Sequence, residues 1–272
     1  MSRALAVFHG LFGRATVYQL NRPFNTHAHR EGHLIFQVGG TPAWIRVADD
    51  DHMLGEDAVV AVNPWEPHNF APTDVDDGAL FFVLYVDAGW FAPHGSGGRR
   101  LSFGCTRIAR APSLARHVAR AAALVCGTPS LTGLDGELRA LIAACHEESW
   151  TQADAAQRRE RVTDFRVRRS LQLMSEGLSA EIALDDIARR SGLSRPHFYK
   201  LFRAQTGLTP HLYLNTLLME KALDGVAARD APMADIASEL GFSSQSAFTR
   251  FFVGNVGMAP TEYRRAVKVL RA

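Results

Sequence analysis

Asp186-Ile-Ala-Arg-Arg-Ser-Gly-Leu-Ser194 and Asp235-Ile-Ala-Ser-Glu-Leu-Gly-Phe-Ser243 are two copies of one pattern, set 49 residues apart. After one extra residue in the second copy, Phe198, Lys200, Phe202, Gly207, Pro210 and Tyr213 match Phe248, Arg250, Phe252, Gly257, Pro260 and Tyr263 at an offset of 50. An internal period of about 50 residues is a property of the architecture, so the C-terminal half is read as two equivalent units. Each copy follows the logic of a helix-turn-helix. A short helix carries Ala188 or Ala237 where a second helix must come close, and four residues on, Gly192 or Gly241 supplies the turn. Ser194 or Ser243 stands where an N-cap is expected. The next helix puts Phe198, Leu201 and Phe202, or Phe248, Phe251 and Phe252, on one face and leaves polar residues on the other. That polar face is the candidate DNA reader. Tandem helical units also build protein-binding solenoids, but two units are fewer than a solenoid usually needs.

Charge divides the chain in the same place. Residues 1–160 hold 14 Lys and Arg against 17 Asp and Glu, while residues 161–272 hold 16 against 11, so the net +2 is the sum of −3 and +5. A basic helical segment behind an acidic one fits a polyanion-binding module attached to a part with another task. Thr209-Pro210 pairs an N-cap residue with proline at the first helical position and opens a helix to about Val226. Such a connector spans roughly 25 Å, enough to set two reading helices about one DNA turn, roughly 34 Å, apart.

Gly241-Phe-Ser-Ser-Gln-Ser-Ala-Phe-Thr-Arg-Phe-Phe252, followed by Gly257-Met-Ala-Pro-Thr-Glu-Tyr-Arg264, resembles the AraC/XylS family of transcription regulators over roughly residues 162–270. The resemblance implies two helix-turn-helix units that bind double-stranded DNA. It implies that Ser244, Gln245, Ser246, Thr249 and Arg250 present to the major groove, with Ser194, Arg195, Pro196, His197, Tyr199 and Lys200 in the corresponding part of the first unit. Arg250 suits guanine and Gln245 adenine, each through paired hydrogen bonds, and Lys200 supplies a point charge. Arg203, Arg264 and Arg265 are expected on phosphates, which position without specifying. The chain departs from the family in carrying Leu218 where the connecting helix often has Arg, and in Pro196 at a base-facing position. More of the direct readout is therefore expected from the second unit.

Residues 14–90 are rich in Val, Ile, Phe, Tyr and Trp, cut by turn clusters at Asn21-Arg-Pro, Gly39-Gly-Thr-Pro and Ala48-Asp-Asp-Asp, which predicts a small barrel or sandwich. Ala92 to Arg100 has loop composition. Pro112 to Cys126 and Leu134 to Trp150 carry apolar residues at helical spacing, with Leu114, Val118, Ala122, Val125, Leu138, Leu141, Ile142 and Cys145 facing inward. The expected organisation is α+β in two domains. Residues 1–150 form a cupin-like β-barrel with packed helices, 151–161 a linker, and 162–272 an all-α domain with both helix-turn-helix units.

Thr26-His-Ala-His-Arg-Glu-Gly-His33 places His27, His29 and His33 at even separations, so that all three face one way if the segment is extended. Gly55-Glu-Asp to Pro67-His68 adds a fourth histidine. The pair of segments resembles the two motifs of the cupin barrel, except that His33 stands where that motif has an acidic residue. Neutral imidazoles suit zinc, iron, nickel or copper, so His27, His29, His33 and His68 are candidate ligands of a divalent transition metal. The alternatives are histidines that hydrogen-bond a small organic effector, together with Trp44 and Trp65, and histidines with a purely structural part. Trp44, Trp65, Phe36 and Tyr85 are expected mainly in the core.

Several function classes are excluded or unsupported. The longest uncharged stretch, Ala204 to Met219, is interrupted by polar residues, so no segment reaches the roughly 18 apolar residues a membrane span needs. The first ten residues lack a leader's cleavage pattern, and the expected location is the cytoplasm. Cys105, Cys126 and Cys145 have no metal-ligand spacing. Neither a P-loop nor G-x-S-x-G occurs, so no enzyme is expected. The reading is a DNA-binding regulator controlled by a small effector. It is expected to dimerise through residues 110–150, as the resemblance implies, and to meet RNA polymerase if it activates. The alternatives are a metal-dependent cupin enzyme with a helical oligomerisation tail, and a DNA-binding protein whose sensor is vestigial.

Overall fold

In the computed structural model, which describes residues 2–74, 76–94, 101–127, 131–153, 164–228 and 231–269, strands begin well before residue 14. The chain divides into two compact units, Met1–Gln157 with Val256–Ala272, and Arg158–Asn255. The first is built on β1 (Arg3–Gly10), β2 (Gly13–Leu20), β3 (Gly32–Gly40), β4 (Ala43–Val47), β5 (Asp50–Leu54), β6 (Ala58–Val62), β7 (His68–Pro72), β8 (Ala79–Val86) and β9 (Arg107–Ala109). It also holds helices α1 (Ala88–His94), α2 (Pro112–Cys126) and α3 (Leu131–Thr151). Two sheets result. One has the order β10-β1-β2-β8-β3-β6-β9, with β10 (Val267–Val269) parallel to β1, and the other is β5-β4-β7.

The large sheet has two distinct faces, set by strand parity. Ala15, Val17, Leu34, Phe36, Val59, Ala61, Phe82 and Leu84 pack in one core with Leu114, Val118, Ala121 and Val125 of α2 and Leu138, Leu141, Ile142 and Cys145 of α3. The alternate positions look toward the small sheet, as in the edge-to-face contact of Phe70 on β7 with Phe81 on β8 at 5.4 Å. This layering explains why β6 is buried at every residue, since helices cover one side and the small sheet the other. Two expectations are refined here. Ala122 packs half-buried against the core as expected while Ala121 beside it is the fully buried alanine of α2, and Ala92 to His94 close a helix where a loop is expected. The rest of that loop, residues 95–100, lies outside the described residues, as does most of the expected linker, from residue 154 on.

The second unit is helical, with α4 (Phe165–Glu176), α5 (Leu184–Arg190), α6 (Arg195–Thr206), α7 (Pro210–Ala228), α8 (Met233–Glu239) and α9 (Gln245–Val256). The second copy of the repeat continues into α10 (Pro260–Ala266), whose contacts group it with the first unit. Phe198, Phe202, Phe248 and Phe252 are fully buried at matching positions of α6 and α9. Gly192 and Gly241 take left-handed φ values of 73° and 75°, the conformation for which glycine is suited at these turns. Thr209 caps α7 through Leu212 N at 3.2 Å, and Leu218 is buried on that helix among Leu214, Leu217 and Leu223. Ser194 occupies the N-cap position of α6 but makes no side-chain cap bond, and in the second copy the cap falls on a different serine. Ser244, not Ser243, directly precedes α9 and accepts from Ala247 N at 3.1 Å, because the extra residue in this turn moves the helix start by one.

Candidate functional site

Two groups of residues carry chemistry, one in each unit. On the helical unit, burying the aromatic stripe of α6 and α9 turns the opposite face of each helix outward. Ser194, Arg195, Pro196, His197, Lys200 and Arg203 are exposed in the first copy, and Ser244, Gln245, Ser246 and Arg250 in the second. Tyr199 and Thr249, at equivalent helical positions, are half-buried. Among the described residues Lys200 and Arg250 have no charged partner, whereas Arg195 donates to Asp185 of α5 at 3.1 Å, with both side chains mostly exposed. Repeated donors and acceptors on two exposed helix N-terminal halves can read base edges or hold phosphates.

In the barrel the histidines come from separate pieces of chain. His33 and His68 lie on β3 and β7, whereas His27 and His29 precede β3. The expectation of one extended segment facing one way is therefore replaced by convergence. His27 and His68 face each other across an isolated antiparallel bridge, with main-chain hydrogen bonds of 2.9 and 2.8 Å in the two directions. Their ring centroids are 4.4 Å apart, and His29 stands 5.0 Å from His27, 5.3 Å from His68 and 5.2 Å from His33. His33 Nδ1 lies 3.1 Å from His68 Nε2. His27, His29 and His68 can each offer a ligand nitrogen within 4.8 Å of the others.

Burial is the leading cause that lowers the pKa of all four imidazoles; neighbouring imidazoles add to it at His29, His33 and His68, and Arg14 adds to it at His27, His29 and His33. His68 is brought down to about 3, and His29 and His33 sit well below the ordinary histidine range. All four rings are therefore neutral near pH 7, with lone pairs available to a proton donor or a metal.

Of the four aromatics expected mainly in the core, Tyr85 lines this interior, and Arg14 is the residue that sequence reading missed. Tyr85 of β8 stacks on His33 at 4.4 Å and meets His29 edge-on at 5.0 Å. Arg14 of β2, a buried guanidinium, lies 3.7 Å from the centroid of the Tyr85 ring, and its Nη1 is 3.5 Å from the Tyr263 hydroxyl. The signal was available: Arg14, Thr16 and Tyr18 share one parity on a strand whose other parity begins Gly13, Ala15 and Val17. Register then aligns Arg14 with Tyr85 and Tyr85 with His33 across three strands. Two aromatic expectations divide. Trp65, at a left-handed φ of 62°, is half-buried and donates its main-chain N–H to His29 O at 2.7 Å. Trp44 is 44% exposed, on the face of β4 opposite that shared by Val47 and His68, so it lines neither core nor interior.

Comparison with known proteins follows the same division. Residues 14–165 match the family described as AraC-like ligand binding domain, and residues 187–266 match a helix-turn-helix domain. A probable transcriptional regulator of Photobacterium leiognathi, LumQ, is 34% identical over 91 residues, 34% of this chain and 37% of that one. The transcriptional activator RclR of Escherichia coli is 33% identical over 87 residues, 32% of this chain and 31% of that one. The chain thus spans about a third of the length of these two relatives. Crystalline ToxT of Vibrio cholerae shares the fold, with a TM-score of 0.62 over 93% of this chain and 96% of that one at 13% identity.

Proposed function

Because the chain belongs to the AraC/XylS family, its ligand-binding domain alone covering residues 14–165, we propose that it is a sequence-specific DNA-binding transcription regulator. One observation carries this reading: two copies of a glycine-turned helix pair expose equivalent polar faces on α6 and α9. Residues 162–272 act as the DNA-binding domain. Arg250 and Gln245 read bases, Ser194, Arg195, Pro196, His197, Tyr199, Lys200, Ser244, Ser246 and Thr249 line the two interfaces, and Arg203 contacts phosphate.

Residues 1–150 sense a small effector at a site formed by His27, His29, His68 and Trp65, with Arg14 and Tyr85 joining them in place of Trp44 and His33 bonded to His68 at its edge. Residues 151–161 link the two parts. Effector binding regulates DNA binding only through different affinities for two arrangements of the protein. The working form is a cytoplasmic homodimer joined through the helices of residues 110–150, and RNA polymerase is a partner at activated promoters. Among the described residues no helix is long and apolar enough to cross a membrane. The relatives are regulators by name and give no support to the enzyme alternative.

The test is selection of bound sequences from a random DNA pool by the full chain at near-physiological salt. A motif of two short elements about one helical turn apart is expected. Folded protein that recovers no motif, with or without added metal ions and metabolites, refutes the reading.

A further inference from the structure

The hydrogen bonds of the barrel histidines leave bare nitrogens directed into one small space. His27 Nδ1 lies 2.8 Å from the Asn25 carbonyl, and His68 Nδ1 lies 2.9 Å from the Glu66 carbonyl. A carbonyl only accepts, so both neutral rings carry their proton on Nδ1 and a lone pair on Nε2. This is the arrangement that orients a metal-binding imidazole, with its outer nitrogen tied to the main chain. His29 Nε2 is buried without a hydrogen-bond partner.

His33 takes a different part. Since the proton of His68 is on Nδ1, the hydrogen bond between His33 Nδ1 and His68 Nε2 must use the proton of His33. His33 thus occupies the lone pair that a metal would need, and its own Nε2 is left buried and unpaired.

We propose that His27, His29 and His68 bind a regulatory divalent transition-metal ion within this effector site, and that His33 competes for His68 without ligating the ion. The proposal rests on the regulator reading above. Three neutral nitrogens with no thiolate or carboxylate among them suit zinc, cobalt, nickel or copper and exclude calcium and magnesium, which take oxygen. At a metal–nitrogen distance of about 2.0 Å, tetrahedral ligand atoms stand about 3.3 Å apart, so nitrogens that lie within 4.8 Å of one another must draw somewhat closer. His27 and His68 are locked by their mutual main-chain bonds, which leaves His29, on the segment before β3, as the ligand that moves. Glu31, whose Oε2 is buried without a hydrogen-bond partner, offsets the charge of Arg14 nearby.

The experiment uses the full chain freed of metal by a chelator. Co2+ alone is titrated while its visible absorption is followed, Zn2+ is used in competition, and affinity for the selected DNA is measured with and without Zn2+. One ion per chain is expected, with a shift of at least about fivefold in DNA affinity. His29→Ala and His68→Ala should each weaken the ion by more than about a hundredfold. His33→Phe, which keeps the stack on Tyr85, should bind it as tightly as the parent or more tightly, and thermal melts establish that each variant is folded. The proposal is overturned by absence of stoichiometric binding, by loss of binding in folded His33→Phe, or by unchanged DNA affinity on saturation. If the motif is still selected in those cases, the regulator reading stands. Loss of selective DNA binding in every metal state overturns that reading instead.

Discussion

Replacing Gly192 and Gly241 separately with alanine tests whether the two repeat units are packed as described. Both residues close the turn of a helix-turn-helix at nearly the same left-handed φ, so an L side chain costs each about 1–2 kcal/mol. The reduced freedom of the unfolded chain returns roughly 0.4–1 kcal/mol of this. The surroundings then separate the sites. A Cβ at Gly192 meets nothing within 4 Å, whereas one at Gly241 collides with Ser179 Oγ and lies 3.2 Å from both Ala180 N and Ser179 Cβ. Ser179 can rotate only by giving up its bond from Glu181 N, and Ala180 N is held by Leu240 O at 2.8 Å. Overpacking of this kind costs about 1–3 kcal/mol, so Gly241→Ala should destabilise its unit by that much more than Gly192→Ala. Native-state hydrogen exchange of α8 and α9 amides in the full chain reads the difference as opening free energies. Adding Ser179→Ala removes the nearest atom and should restore part of the loss. Equal destabilisation by the two alanines, or no relief from Ser179→Ala, would refute the packing argument.

Three further outcomes are expected. Arg250→Ala should cost about 1–3 kcal/mol at the best site and relax preference at one base pair; in a binding titration over single-base variants, a uniform loss would make Arg250 a phosphate contact. Asp185→Asn frees Arg195 and removes a negative charge beside α6, so DNA binding should tighten by up to about 1 kcal/mol at low salt, and weakened binding would count against Arg195 as a DNA contact. The pKa of His9 is lowered to about 4, first by burial and then by Arg14, so the unfolded chain takes up a proton that the fold refuses between pH 6.5 and about 4. Its stabilising effect is complete above pH 6.5 and is lost as pH falls through that window, at no more than about 1.4 kcal/mol per pH unit, with the interior histidines acting in the same direction. Thermal melts across that range should show a smaller decline for His9→Gln, and identical slopes would sink the assignment.

The helical half was legible because its determinants are local. An aromatic stripe at i, i+3 and i+4 buries itself whatever it packs against, and a glycine four residues past a small one marks the turn. The same locality placed α2 at Pro112–Cys126 from its periodicity alone. It failed by one residue at Ser243, where an insertion inside the turn moved the helix start to Gln245.

The barrel was legible only as strands and as a set of histidines. Alternation along β4 separates Ala43, Ile45 and Val47 from Trp44 and Arg46, but which set faces inward depends on the sheet that closes over it, and Trp44 went outward. For the same reason Arg14 could be seen to share a parity with Tyr18 but not to lie beside Tyr85 and His33, whose strands reach it from distant parts of the chain through register. From the amino-acid sequence alone follow the repeat, its turns, its exposed polar faces and the four histidines. Tertiary structure decided which histidine nitrogens are bare, that His33 bonds to His68 and stands outside the close group, and that a buried arginine completes the interior. Those are long-range matters of strand pairing, and no local pattern encodes them.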